Sequence, residues 1–218
     1  MEAEFWQTRW ANNQIGFHEG RTNAFLEAHF ERLALAPGAR VFVPLCGKTR
    51  DIAWLLSRGM RVAGAELSAL AVAQLFDDLG IEPAVTADGP PEPPLARHAG
   101  PGIDIFQGDI FDLSAARLGP VDAIYDRAAL VALPAPMRSR YARHLLDITC
   151  GAPQVLITFA YDQSAVEGPP FSVPPGEVHA LYDAAYGVSE LTQAPLAGGL
   201  KGKCDATEHV FHLARPAP

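Results

Sequence analysis

The sequence has no cluster of basic residues and no long apolar run. Its 218 residues include 17 Lys or Arg against 25 Asp or Glu, which gives a formal net charge of -8 at pH 7. Because nothing here would neutralise the phosphates of a nucleic acid or of an anionic membrane, we expect neither as a partner. No apolar stretch approaches the roughly 18 residues that a membrane span requires. The expected partner is therefore a small molecule.

Cysteine is also scarce. The chain has three, Cys46, Cys150 and Cys204, and they stand far apart without C-x-x-C spacing. This pattern predicts neither a zinc site nor a disulfide framework, so no metal is expected and a reducing compartment fits best. Met1 is followed by Glu2 rather than by a basic leader segment, so we expect a cytoplasmic protein.

Apolar residues, by contrast, make up 49% of the chain. That content is enough for one hydrophobic core and predicts a single domain over residues 1–218. No apolar helix face is left over for a subunit interface, so we expect a monomer.

A strand, a helix, a second strand and a second helix follow one another in the N-terminal half. Residues 41–45 are apolar throughout, which is typical of a strand buried on both faces. A helical pattern then runs from about Asp51 to Gly59, a strand from Arg61 to Glu66, and a helix from Ser68 to Gly80. This βαβα order predicts a parallel sheet with right-handed crossovers, the doubly wound α/β class.

The remaining segments extend this arrangement. Six prolines between Glu82 and Gly102 predict a surface loop, because proline has no N–H to give to a helix or a central strand. Two runs around Gly198-Gly199, within residues 190–214, predict an antiparallel hairpin at one sheet edge. The other expected elements are a helix that Thr22 caps and Pro37-Gly38 ends, strands at 103–106, 121–126 and 154–161, and a helix at 135–149.

The turn after the first strand is the expected ligand site, because doubly wound sheets bind ligands beyond the carboxyl ends of their strands. Gly47 lies in this turn and lets a ligand approach the backbone, and Glu66 follows 19 residues later, where a carboxylate can accept both hydroxyls of a ribose. The pair suggests a nucleoside-containing cofactor. The alternative is structural: Gly47 merely ends a strand, and Glu66 merely caps the helix that Ser68 opens.

Two phosphate-binding motifs can be tested against this turn. A P-loop would need glycine at position 42, which is Phe42, although Gly47-Lys48-Thr49 matches the end of that motif. A dinucleotide fingerprint needs three glycines and the turn has one, so an NAD-linked oxidoreductase is disfavoured without being excluded. S-adenosylmethionine has no phosphate, so a single glycine suffices for it.

Two further strand ends carry candidate residues. Asp109 stands where a carboxylate could accept the adenine amino group, with Ile110 against the ring, but an Asp in a strand-end turn is an equally ordinary structural residue. Arg127 could hydrogen-bond a cofactor or an anionic substrate, and the alternative is an ion pair with Asp126 or another acid.

Four collinear motifs carry a resemblance to a known family. They are Phe5-Trp6 and Trp10 with Gly16-Phe17-His18-Glu19, then Val43-Pro44-Leu45-Cys46-Gly47-Lys48, then Asp126-Arg127-Ala128-Ala129-Leu130-Val131-Ala132, and Gly168-Pro169-Pro170-Phe171-Ser172-Val173-Pro174. The chain resembles the bacterial-type thiopurine S-methyltransferases over nearly its whole length. The resemblance implies a class I, Rossmann-like methyltransferase fold with one mostly parallel sheet of seven strands and the antiparallel hairpin at its C-terminal end.

The resemblance also implies functional residues. The implied contacts of S-adenosylmethionine, besides Gly47 of the turn, are Trp10, Leu45, Glu66 and Arg127, with Asp109 and Ile110 near the adenine. Phe17 would face the substrate, and the Pro170-Phe171 loop would form a wall of its pocket. Residues 1–36 would cover the cofactor site, with Trp10 excluding water.

The expected reaction is direct in-line methyl transfer to an aromatic or heterocyclic thiol such as a thiopurine. A thiolate attacking a sulfonium needs alignment and dehydration more than acid or base help, so no catalytic residue is assigned. Two alternatives stay open: methylation of small selenium, tellurium or sulfur species for detoxification, and a non-catalytic sensor that binds S-adenosylmethionine.

Overall fold

The computed structural model describes residues 3–16, 18–87 and 95–215, which form an α/β architecture around one sheet. Its strands are β1 (Arg40–Val43), β2 (Arg61–Glu66), β3 (Ala84–Ala87), β4 (Ala96–Gly100), β5 (Ile103–Gln107), β6 (Ala123–Arg127), β7 (Gln154–Tyr161), β8 (Gly187–Pro195) and β9 (Ala206–Ala214). The strand order is β3-β4-β5-β2-β1-β6-β7-β9-β8.

The central strands β5, β2, β1, β6 and β7 are parallel. From β1 the chain moves outward through β2 to β5 and then returns to the other side of β1 as β6, so the strand order reverses between β1 and β6. All four residues of β1 are buried, as its uninterrupted apolar run predicted. The doubly wound fold class is therefore confirmed.

Helices cover both faces of this sheet. They are α1 (Ala3–Ala11), α2 (Ala24–His29), α3 (Arg50–Ser57), α4 (Ala69–Leu79), α5 (Ala115–Leu118), α6 (Ala135–Thr149) and α7 (Pro175–Tyr182), with 3-10 turns at Phe30–Leu33, Ile110–Asp112 and Leu130–Ala132. Ser68 caps α4 by accepting the N–H of Ala71, as predicted. The cap of α2 is Asn23, whose side chain accepts the N–H of Phe25, so the prediction of Thr22 was wrong by one residue.

Successive residues of β1 supply the two halves of the core. Phe42 packs with Tyr141 of α6 on one face of the sheet, whereas Val41 packs with Ile52 of α3 and Leu75 of α4 on the other. This alternation follows from the two-residue repeat of a strand. In the described parts of the chain, no helix is long and apolar enough to cross a bilayer.

The prediction of a surface loop over residues 82–102 was wrong. Strands β3 and β4 form an antiparallel hairpin there, and β4 pairs with β5. The prolines do not interrupt this pairing, because Pro83 precedes β3, Pro101 follows β4, and the other four belong to residues 88–94, outside the described residues. The hairpin accounts for a described sheet of nine strands where seven were expected.

The C-terminal hairpin is confirmed. Strand β9 pairs antiparallel with β7 along all eight residues of β7, and β8 pairs with β9 at the sheet edge. Its connecting loop, residues 196–205, therefore returns to the end of the sheet where the parallel strands finish. That position brings a distant part of the sequence to the predicted ligand site.

Candidate functional site

A cavity of about 440 Å³ lies at the carboxyl ends of the parallel strands, within the usual size range for small-ligand sites. It spans the point where the strand order reverses. All seven residues predicted to contact the cofactor line it: Trp10, Leu45, Gly47, Glu66, Asp109, Ile110 and Arg127. Side chains far apart in sequence thus meet at the place that the fold class predicts for a ligand.

Glu66 joins the first turn to the end of β2. Its Oε2 accepts the N–H of Gly47 at 2.8 Å and its Oε1 accepts the N–H of Ser68 at 2.8 Å. Leu45 and Gly47 have φ values of 45° and 51°, in the left-handed region, and so reverse the chain after β1. The structural role considered for Glu66 is therefore present, and the side chain lines the cavity as well.

The Glu66 carboxylate suits a vicinal diol. The residue is only 6% exposed, and burial raises its pKa while the backbone N–H groups of Ser68, Gly47 and Leu67 favour the ionised form. An ionised carboxylate has about four lone-pair sites, so these donors leave room for another. A ribose hydroxyl from the cavity could supply it. The residues present thus fit the nucleoside part of S-adenosylmethionine.

Asp109 and Ile110 form the next side of the cavity, after β5. Asp109 Oδ1 accepts the N–H of Phe111 at 2.9 Å and caps the 3-10 turn that follows, so its ordinary structural role is present too. Ile110 is buried, and Phe111, which the sequence patterns did not single out, also lines the cavity. The guanidinium carbon of Arg140 lies 3.8 Å from the centroid of the Phe111 ring and fixes that ring from outside.

Arg127 forms an ion pair with Glu19. Asp126, the acid considered as its partner, instead accepts the Tyr141 hydroxyl at 2.7 Å and the Leu130 N–H at 3.1 Å. Both Arg127 and Glu19 line the cavity. Their ion pair ties the segment after α1 to the end of β6.

His18, beside Glu19, lines the cavity as well. Burial lowers the pKa of its imidazole, and the nearby charges of Lys48 and Arg50 lower it further. The ring therefore favours its neutral form near pH 7.

The N-terminal segment contributes residues to the cavity lining. Trp10 is 5% exposed and lines the cavity together with Trp6 and Arg9. Helix α2 and the turn Phe30–Leu33 pack into the core instead. Phe17, the predicted substrate contact, lies outside the described residues, and the role of residues 1–36 as a cover stays a prediction.

Residues of the C-terminal half of the chain also line the cavity. Pro170 lines it, as do Pro169, Leu133, Met137, Phe159, Leu196, Leu200 and Lys201. Phe171 does not: its N–H donates to Val131 O at 2.6 Å, and its ring lies 5.8 Å from the Arg138 guanidinium carbon. A substrate contact by Phe171 stays a prediction, and the loop 196–201 is a lining segment that no sequence pattern identified.

Comparison with known proteins gives the family. The model of the thiopurine S-methyltransferase family matches residues 1–212. A thiopurine S-methyltransferase of Xanthobacter autotrophicus is 61% identical over 216 residues, 99% of this chain and 100% of that protein. The chain belongs to the thiopurine S-methyltransferase family. A thiopurine S-methyltransferase of Teredinibacter turnerae is 48% identical over 99% of this chain and 98% of that protein.

Solved structures agree on the fold. A methyltransferase of Anabaena variabilis, described as dependent on S-adenosylmethionine, has a TM-score of 0.63 at 12% identity, with 98% of this chain and 95% of that chain covered. A magnesium protoporphyrin IX methyltransferase of Synechocystis with bound S-adenosylhomocysteine also has a TM-score of 0.63 at 12% identity, with 97% and 99% covered. With family membership, this makes the chain an S-adenosylmethionine-dependent methyltransferase, which removes the sensor and oxidoreductase alternatives.

Proposed function

We propose that this enzyme methylates the sulfur of aromatic or heterocyclic thiols, thiopurines among them, by direct in-line transfer. The observation that carries the proposal is an apolar wall that covers part of the cavity, beside charged and polar lining residues such as His18, Arg9 and Lys201. That wall consists of Trp6, Leu133, Met137, Phe159, Pro169, Pro170, Leu196 and Leu200. Flat rings bury their faces well against such side chains, whereas a small hydrated oxyanion such as selenite gains little from them.

The chain's own residues would bind, orient and dehydrate the reactants. Glu66 and the Gly47 turn would hold the ribose, and Asp109 with Ile110 would hold the adenine. Trp10 would exclude water from the positively charged sulfur of the cofactor. When bound, S-adenosylmethionine supplies a methyl group on a sulfonium whose sulfur leaves as a neutral thioether. Good alignment alone contributes on the order of 7 to 11 kcal/mol to such a displacement.

No side chain in this scheme acts as a general base. The acceptor loses its thiol proton to solvent, a new sulfur–carbon bond forms, and the sulfonium carbon–sulfur bond breaks to release S-adenosylhomocysteine. The neutral ring of His18 is the lining group best suited to take a proton. An acceptor thiol with a pKa below 7 is mostly ionised at neutral pH, so a general base would not speed its methylation.

The test follows the labelled methyl group of S-adenosylmethionine. We expect 6-mercaptopurine to become methylated on sulfur and hypoxanthine, which carries oxygen at that ring position, to remain unlabelled. With an acidic aromatic thiol as acceptor, His18→Gln should change kcat by less than about threefold, because no proton is transferred to the enzyme. Labelling of selenite or tellurite without labelling of any thiol would refute the proposal in favour of chalcogen detoxification.

A further inference from the structure

Two cationic side chains line the cavity without an acidic partner among the residues that the structure describes. Arg9 of α1 and Lys201 of the loop between β8 and β9 both line it. By contrast, Arg127 pairs with Glu19 and Arg138 with Glu177. Within residues 3–16, 18–87 and 95–215, neither Arg9 nor Lys201 forms an ion pair with a carboxylate.

Arg9 has unused hydrogen-bonding capacity. Its guanidinium carbon lies 4.6 Å from the centroid of the Phe5 ring, and this contact holds the side chain in place. Its Nε is buried and, within the described residues, has no hydrogen-bond partner. The two terminal nitrogens of the guanidinium carry four further N–H donors, and since Arg9 lines the cavity, a ligand there would offer them an acceptor.

Lys201 lines the same cavity from the loop between β8 and β9. Its Nζ donates to Pro169 O at 2.8 Å, which fixes the ammonium beside the loop that contributes Pro170 and leaves further N–H donors. Burial lowers the pKa of Lys201, and the charges of Arg9 and Lys203 lower it further. Because Arg9 and Lys201 line the same cavity, both charges would attract an anion bound there.

We propose that Arg9 and Lys201 form an anion-binding subsite that selects acceptor thiols carrying a carboxylate or a comparable negative group. The inference rests on the proposed function and narrows its substrate class. The apolar wall would bury the ring of the acceptor. The two cations would bind its negative group at the solvent-exposed part of the cavity, where Lys201 lies. Two charged donors from different elements of the fold would orient the anion as well as attract it.

The experiment compares two acceptors of the same shape, 4-mercaptobenzoate and 4-mercaptobenzamide. The parent enzyme should favour the benzoate in kcat/KM. Lys201→Gln and Arg9→Gln should each lower the benzoate-to-benzamide ratio about tenfold, mainly through the KM for the benzoate, because each removes a charged hydrogen bond. Lys201→Arg should keep the preference. Lys203→Gln is the matched control, since Lys203 is exposed in the same loop and does not line the cavity.

Three outcomes would overturn the inference. Equal benzoate-to-benzamide ratios in the parent, Lys201→Gln and Arg9→Gln enzymes would show that the two cations do not select for a negative acceptor. The proposed methylation of thiols would not be affected by that result. Weaker binding of S-adenosylhomocysteine in calorimetry, with the acceptor ratio unchanged, would assign the cations to the cofactor instead. Methylation of neither acceptor nor of 6-mercaptopurine would refute the proposed function and this inference with it.

Discussion

Replacing Glu66 with glutamine is the most direct perturbation of the site. The carboxylate accepts two backbone N–H groups at 2.8 Å and lines the cavity. An amide has one acceptor oxygen, so its NH₂ group must face either the Gly47 or the Ser68 N–H. The lost bond costs about 1 to 3 kcal/mol, offset in part because the variant no longer buries a charge.

The effect on cofactor binding should be larger and separable. A hydrogen bond to a charged group contributes about 1.5 to 3 kcal/mol. In the glutamine variant, the ribose hydroxyl would bond a neutral amide instead of a charged carboxylate, so part of this energy would be lost. With a loss of about 2 kcal/mol, the Kd for S-adenosylmethionine should rise roughly 30-fold. At saturating cofactor, kcat should stay within about threefold of the parent value, because a residue that anchors the ribose would not touch the transferred methyl group.

The assay is calorimetric titration with S-adenosylhomocysteine, together with thermal unfolding of the ligand-free protein. Asp126→Asn is the matched control, because Asp126 is a fully buried acid with two hydrogen bonds and does not line the cavity. It should lose stability without losing affinity. If Glu66→Gln bound S-adenosylhomocysteine as tightly as Asp126→Asn does, the assignment of Glu66 as the ribose anchor would be wrong.

Two further predictions concern the core. Burial raises the pKa of Asp126 from 3.8 to about 6, so the stability that its protonated form contributes is present below about pH 4 and lost as pH rises through 6. The excess in Tm of the parent over Asp126→Asn should shrink across that window, and a pH-independent difference would contradict the shift. In Gly64→Ala, a Cβ would lie 2.6 Å from Ile105 Cδ1 and 3.0 Å from Cys46 Sγ, so unfolding should become easier by about 1 to 3 kcal/mol. Ile105→Val should lower the free energy of unfolding less in the Gly64→Ala background than in the parent protein. Strictly additive losses would rule out the contact between the new Cβ and Ile105.

The cofactor side of the cavity was predictable because its residues follow consecutive strands of parallel units. Gly47 lies in the turn after β1 and Glu66 ends β2, and these two neighbouring parallel strands bring their carboxyl ends to one edge of the sheet. The sequence left the structural and ligand-binding roles of Glu66 as alternatives. The geometry makes them compatible, because one carboxylate accepts the N–H groups of Gly47 and Ser68 and still faces the cavity.

The hairpin of β3 and β4 escaped prediction for a different reason. The six prolines of residues 82–102 predict a loop for the segment as a whole, whereas the sheet requires only that the paired positions have free N–H groups. Ala84–Ala87 and Ala96–Gly100 meet that condition because each is free of proline. A strand added at a sheet edge also needs little apolar content, and all four residues of β3 are exposed.

The position of Lys201 could not be read from local patterns, because it depends on the pairing of β9 with β7 and on where the 196–205 loop then turns. The cavity lining therefore comes from two kinds of element. The predicted cofactor contacts from Leu45 to Arg127 follow parallel strands at the centre of the sheet, whereas Lys201 and Leu200 come from an antiparallel edge and Arg9 from a terminal helix. Edge loops tolerate changes that a central strand end does not. Substitutions at Leu200 or Lys201 should therefore change which acceptor is methylated while cofactor affinity stays constant.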